Sequence, residues 1–192
     1  METKSVMFVG VGGQGSLLAS RLLGNVLLAM GFDTKVSEVH GMSQRGGSVV
    51  TYVKYGDKVY SPVIEKGEAD IIVAFEQLEA ARWLSCLKDG GKFITSTQII
   101  NPMPVITGAM AYPENIINKI KATETDVTAI DALELAIEAG SSKATNVVLM
   151  GVLANMLGFG EELWQNALEQ CVPSKFLEMN KKAFELGKKA AA

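Results

Sequence analysis

Two short segments of this 192-residue chain carry residue types at spacings that chemistry can use. The first is Gly10-Val11-Gly12-Gly13-Gln14-Gly15, a G-x-G-x-x-G spacing with a fourth glycine. Between a strand and a helix, the first glycine of such a turn permits the tight bend. The second lets a ligand approach the backbone, and the third permits close helix–strand contact. Free N–H groups and the dipole at the helix start favour an anion there. A turn built only for tight packing would use the same glycines. A dinucleotide fingerprint also wants an acid at the end of the second strand. Glu38 is near that place, but the loop after it is too elaborate for ordinary ribose recognition.

That loop is the second segment, His40-Gly41-Met42-Ser43-Gln44-Arg45-Gly46-Gly47-Ser48. It follows the second strand, at the edge where open α/β sheets bind ligands. Arg45, flanked by glycines, suits a bidentate clamp on phosphate or carboxylate. His40, the only histidine, is either a general base or a residue that ties the loop through a backbone hydrogen bond. No serine, cysteine or acidic partner stands at a diagnostic spacing, so a catalytic triad is unsupported.

The elements that must position these loops can be read from periodicity. Ser5 to Val9 is a continuous apolar run and reads as a buried strand; residues 14–30 carry a helical period that Gly31 stops; Thr34 to Val39 reads as a second strand. This is a βαβ unit, for which a right-handed crossover and parallel pairing are expected. Ser48 to Lys54, a Gly56-Asp57 turn and Lys58 to Ser61 read as a β-hairpin. Ala69–Phe75, Lys92–Thr97 and Val127–Ile130 read as strands, with helices over 76–87 and 113–122 and a turn at Asp89-Gly90-Gly91. Asp131 caps a helix over 132–139 that Gly140 ends. Thr145 or Asn146 starts an apolar helix to Leu157, Gly160 or Glu161 a second, and Pro173 a last amphipathic one. The expected fold is α/β: a Rossmann-like open sheet, mostly parallel, with a β-hairpin insertion and a helical C-terminal flank, in a single domain over 1–192.

Bulk composition narrows the function. With 48% hydrophobic and 20% charged residues the chain is globular rather than disordered. A net charge of −3 without a basic face argues against nucleic acid. Two distant cysteines, Cys86 and Cys171, disfavour disulfides, a zinc knuckle or a cysteine-ligated cluster, and read as reduced, partly buried thiols. No signal peptide and no membrane-spanning run is present, so a cytoplasmic protein is expected.

GVGGQG at 10–15, EVHGMSQRGGSV at 38–49 and YSPVI at 60–64 together resemble the small, gamma-type subunit of 2-oxoacid:ferredoxin oxidoreductases. EADIIVAFEQLEAAR at 68–82, TNVVLMGVLA at 145–154 and VPSKFLEMNKKAFELG at 172–187 extend the resemblance over nearly the whole chain. The Gly-Met-Ser-Gln version of the loop points to the aryl-pyruvate, indolepyruvate-acting branch.

The resemblance implies oxidative decarboxylation of a 2-oxoacid to an acyl-CoA. Thiamine diphosphate, magnesium and iron–sulfur clusters would reside in a larger partner subunit and pass electrons to ferredoxin. This chain would be inactive alone and bind none of those groups by itself, with coenzyme A a candidate ligand shared between subunits. Gly10, Gly12, Gly13, Gln14 and Gly15, with Ser43, Arg45, Gly46 and Gly47, would face the shared cleft. Glu76 would act there or complement a helix dipole, and Asn146 would cap its helix or point into the cleft. The last helix, with Phe176, Leu177 and Phe184, would pack on its own sheet or dock on a partner. The competing readings are a stand-alone nucleotide-binding dehydrogenase and a non-enzymatic nucleotide-binding module.

Overall fold

The computed structural model describes residues 2–38 and 46–191. Among the described residues six strands, β1 (Lys4–Val11), β2 (Asp33–Glu38), β3 (Ser48–Gly56), β4 (Ala69–Ala74), β5 (Leu87–Ser96) and β6 (Asp126–Ile130), form one sheet in the order β2-β3-β1-β4-β5-β6. Only β3 runs against the rest. It pairs antiparallel with both β1 and β2, while β1/β4, β4/β5 and β5/β6 are parallel. The Rossmann-like, mostly parallel sheet is therefore present.

Two local expectations are corrected. The strands of the first βαβ unit are not neighbours, because β3 lies between them. The hairpin over 48–61 does not form: β3 spends both edges on β1 and β2, so a returning strand at 58–61 would have no edge to pair with. Instead β2 and β3 are the antiparallel pair. After β3 the chain is tied down at Val59, whose N–H donates to the Asp33 carboxylate at 2.8 Å.

Both faces of the sheet are covered, which is why β1 and β4 read as unbroken apolar runs. Helices α1 (Ser16–Ala29), α5 (Ala132–Ala139), α6 (Thr145–Leu157), α7 (Glu161–Cys171) and α8 (Leu177–Ala190) cover one face, burying Val6, Phe8, Val73 and Ile94. On the other, α2 (Gln77–Trp83) and α4 (Ile116–Lys121) bury Met7, Val9, Ile72 and Phe93. A short helix, α3 (Met103–Ile106), stands between α2 and α4 in the chain.

Asp131 caps α5 as expected, accepting from Glu134 N at 3.0 Å, and Gly140 ends it. The helix expected over 113–122 starts only at Ile116, because Asn115 is left-handed at φ 56°. The helix expected over 76–87 passes into a 3-10 turn after Trp83. The expected turn at Asp89-Gly90-Gly91 lies within β5: Ala69 pairs with Leu87 and Ile71 with Lys92, so the extra residues bulge out around Gly90 at φ 73°. The last helix begins after a 3-10 turn at Ser174–Phe176; Phe184 packs on Trp164 with ring centroids 5.7 Å apart, and Phe176 is exposed. Among the described residues no helix is long and apolar enough to cross a membrane.

Asp70 anchors the start of the sheet. Burial pushes its carboxyl up, but the Ser5 N–H at 2.9 Å and Lys4 at 3.3 Å more than offset this and hold it below its ordinary value. A carboxyl with a lowered folded-state pKa stabilises the fold above its unfolded value and loses that contribution as pH falls through the folded one. Asp70→Asn is therefore expected to cost about 1–3 kcal/mol at pH 7. Its unfolding curve should converge with the parent's as pH falls toward about 2, in urea titrations across pH.

Candidate functional site

The strand order brings the C-terminal ends of β1, β4, β5 and β6 and the start of β3 to one edge of the sheet. The glycine turn and Gly46-Gly47, the described end of the second segment, lie there. Val11 pairs with Ser48 in the β1/β3 ladder, and the contact continues past it: Gly12 N donates to Gly47 O at 2.8 Å and Gly46 N to Gly12 O at 3.2 Å. The turn and the last two residues of the loop thus form one surface. His40, Ser43 and Arg45 lie outside the described residues.

Each glycine of the turn has its own reason. A Cβ on Gly10 would come within 2.9 Å of the Phe75 ring and of Gln14 Oε1. Gly13 takes φ 102° and faces open space, as a backbone that receives a ligand would. Gly15 takes φ 84°, and a Cβ there would stand 2.3 Å from Asn146 Nδ2. The close approach expected of the third glycine is therefore made to the side chain of Asn146 on α6.

Asn146 is not the cap. Ala144 holds that position, and buried Asn146 donates from Nδ2 to Gly15 O at 3.0 Å while its Oδ1 accepts from Val147 N at 2.9 Å. Gln14 is a brace across three strands. Its Oε1 accepts from Val11 N at 2.8 Å; its Nε2 donates to Phe75 O at 3.0 Å and to Gln98 Oε1 at 3.1 Å.

Two clefts flank the turn and share Gly13 and Gly15. One, about 420 Å³, is lined also by Gln14, Gln98, Lys143 and Thr145; the other, about 260 Å³, by Gly12, Ser16, Val49 and Thr51. Among the described residues, the N-cap positions of α1 and α6 (Gly15 and Ala144) make no side-chain cap bond, and neither first turn carries an acid. Two positive helix ends and exposed Lys143 thus face the larger cleft, an arrangement that suits an anion. Gln98 and Lys143 carry no signal in the sequence; only the fold brings them beside the turn.

Two buried carboxylates stand behind this edge. Glu76 caps α2, accepting from Glu79 N at 3.0 Å, and its other oxygen accepts from Ile100 N at 3.2 Å and from the Tyr112 hydroxyl. Burial, followed by that bond to Glu76, pushes the Tyr112 hydroxyl well above its ordinary pKa. Glu79 accepts from Ser48 Oγ, from Trp83 Nε1 at 3.3 Å and from Arg82 Nε at 3.1 Å, so it braces the first residue of β3. Glu38, near the place a ribose-binding acid would take, accepts from Ser20 Oγ at 3.2 Å and lines a separate groove with Arg21 and Val36. Cys86 and Cys171 are both free thiols, and burial pushes each above its ordinary pKa.

The chain shares this architecture with known proteins. It superposes over its full length, with 97% of the other chain covered, a TM-score of 0.76 and 23% identity, on the keto/oxoacid ferredoxin oxidoreductase gamma subunit of Geobacter sulfurreducens PCA. It is 43% identical over 197 residues to the indolepyruvate oxidoreductase subunit IorB of Thermococcus kodakarensis and 44% identical over 196 residues to that of Pyrococcus horikoshii. Both alignments span 100% of this chain and 97% of the relative. Residues 5–190 match the family described as pyruvate ferredoxin/flavodoxin oxidoreductase, and the chain belongs to that family.

Proposed function

We propose that this chain is the small subunit of an aryl-pyruvate-type 2-oxoacid:ferredoxin oxidoreductase, a single gamma-type domain over 1–192 working in the cytoplasm. Its partner is a large subunit that carries thiamine diphosphate, magnesium and iron–sulfur clusters. The observation that carries the reading is full-length identity of 43–44% to two IorB proteins, joined to a glycine turn bonded to the base of the second glycine loop. The complex decarboxylates a 2-oxoacid oxidatively to an acyl-CoA and passes the electrons to ferredoxin.

This chain's part is to wall the shared cleft. Gly13 presents backbone to open space, Gly12 and Gly15 line the clefts beside it, and Gln14 and Asn146 hold that backbone in place. Gly46 and Gly47 lie at the same edge, and Ser43 and Arg45 are the residues we assign to the ligand from the loop before them. Coenzyme A is the ligand we assign to the cleft: its phosphates match the two helix N-termini, Lys143 and Arg45, and its thioester-forming arm would extend toward the partner's cofactor. The dinucleotide reading is disfavoured by Glu38, which lines a groove away from the turn.

Arg45→Ala in the reconstituted complex is expected to raise the KM for coenzyme A about tenfold or more, the effect of losing one charge-assisted bidentate contact. Steady-state ferredoxin reduction at varied coenzyme A and varied indolepyruvate reads this. An unchanged coenzyme A KM, 2-oxoacid KM and subunit assembly would remove Arg45 from the cleft.

A further inference from the structure

The hydrogen bonds lining the larger cleft can be followed from one amide to the next. Gln14 is fixed first. The Val11 N–H can only donate, so the oxygen of the Gln14 amide faces it at 2.8 Å. The Gln14 Nε2 carries two hydrogens, and both are used, one on Phe75 O at 3.0 Å and one on Gln98 Oε1 at 3.1 Å. The second of these bonds orients the next amide, because two amino groups facing each other would repel. Gln98 therefore turns its oxygen to Gln14, and its own Nε2 keeps both hydrogens. Among the described residues they meet no acceptor, although Gln98 lines the cleft.

The backbone of Gln98 is equally fixed. Its N–H donates to Ser96 Oγ at 3.2 Å, and its carbonyl accepts from Gln77 N at 3.1 Å. A half-buried donor held in this way loses little freedom when a ligand accepts from it. The rest of the lining has the same character. Thr145 spends its hydroxyl hydrogen on Ser142 O at 2.8 Å. Among the described residues the N–H groups of Gly13 and Gly15 make no bond, and the Lys143 ammonium forms no ion pair. The Ser142 hydroxyl can donate or accept. The amide oxygens of Gln14 and Gln98 already accept, so the open groups are mostly donors. Such a lining suits a group with several acceptor oxygens and no hydrogen to give, an oxyanion.

We propose that Gln98 is a ligand-binding residue of this cleft, its Nε2 donating to an oxyanion of the bound ligand. This rests on the reading of the cleft as the wall that a small subunit contributes to a shared active site. The oxyanion is a phosphoryl group if it belongs to coenzyme A and a carboxylate if it belongs to the 2-oxoacid. Gln14 is the positioning residue: it touches no ligand through its spent amide, but its orientation dictates which end of Gln98 is offered to the cleft.

The test uses the reconstituted complex with the full chain as wild type, Gln98→Glu or Gln98→Met. Gln98→Glu keeps an oxygen for Gln14 Nε2 to donate to, so the brace stays, but it gives up the amino group. Gln98→Met, of similar length, gives up both. Coenzyme A is titrated into each complex by calorimetry, and ferredoxin reduction is followed at varied coenzyme A and at varied indolepyruvate. Gln98→Glu is expected to weaken one of the two ligands about tenfold or more, and Gln98→Met the same ligand about threefold or more, the loss of a hydrogen bond to a charged group with and without an added like charge. Weakening confined to coenzyme A, in Kd and KM alike, assigns a phosphoryl group; weakening confined to the indolepyruvate KM assigns a carboxylate. A parent-like Gln98→Glu beside an impaired Gln98→Met reduces Gln98 to a brace and overturns the contact. An impaired Gln98→Glu beside a parent-like Gln98→Met means repulsion at a distance and overturns it too, as do equal losses for both ligands or two parent-like variants. Each of these leaves the proposed function standing. A wild-type pair that neither assembles nor turns over overturns the proposed function along with the contact.

Discussion

Gly187→Ala is expected to destabilise the chain by about 3 kcal/mol or more, at the upper end of what overpacking costs. A Cβ at Gly187 would stand 1.9 Å from Val148 O, and the reciprocal position, Gly151, would put one 2.1 Å from Phe184 O. Both obstacles are backbone, so no rotamer change relieves them. Helices α6 and α8 must separate, and with them the buried contacts of Val147, Val148, Ala183 and Phe184. For a chain of this size the loss corresponds to a melting point lower by roughly 6–12 °C. Gly24→Ala, within α1 where a Cβ meets nothing within 4 Å, is the control. It should stabilise by about 0.5–1 kcal/mol, because alanine is the better helix former. Differential scanning calorimetry of the two variants separates a glycine needed for contact from one that is not.

Gly15→Ala is the second large effect, and it reaches function. Alanine at φ 84° costs about 1–2 kcal/mol for the left-handed backbone alone. The added methyl also strikes Asn146 Nδ2, so the turn or α6 has to move. The turn lies between the two clefts, and a displacement of about 1 Å can cost about 100-fold in rate. The expected result is a complex that assembles but turns over about 100-fold more slowly. Asn146→Ala alone loses the bond to Gly15 O, yet combined with Gly15→Ala it removes the obstacle. The double variant should therefore be less impaired than the sum of the two, a coupling that double-mutant kinetics would detect.

The elements that could be read from sequence were those specified locally. β4 is an apolar run, and α5 runs from an aspartate that caps it to a glycine that ends it; both lie where the pattern places them. The misplaced hairpin shows the limit. Alternation marks Ser48 to Lys54 as a strand, but its partners are chosen by long-range packing, and β1 and β2 take both of its edges. Asn146 shows another. A helix-start asparagine looks like a cap, and only its neighbour Gly15, 131 residues earlier, reveals the brace. Gln14 belongs to a recognisable turn, yet its bonds to Phe75 O and Gln98 depend on the order of β1, β4 and β5 in the sheet. The turn itself was legible because backbone geometry demands glycine; the residues facing it were not, because glutamine and lysine are compatible with any exposed site.

Above all, this chain is expected to contribute an indispensable wall to an active site whose cofactors belong to another subunit. The most direct measurement is coenzyme A-dependent ferredoxin reduction with indolepyruvate, using the purified large subunit, this chain, and the two together. Turnover only when both are present, with no NAD(P) binding by this chain alone, is the predicted result. Full turnover by the large subunit without this chain, or NAD(P)-dependent dehydrogenase activity of this chain by itself, would contradict it.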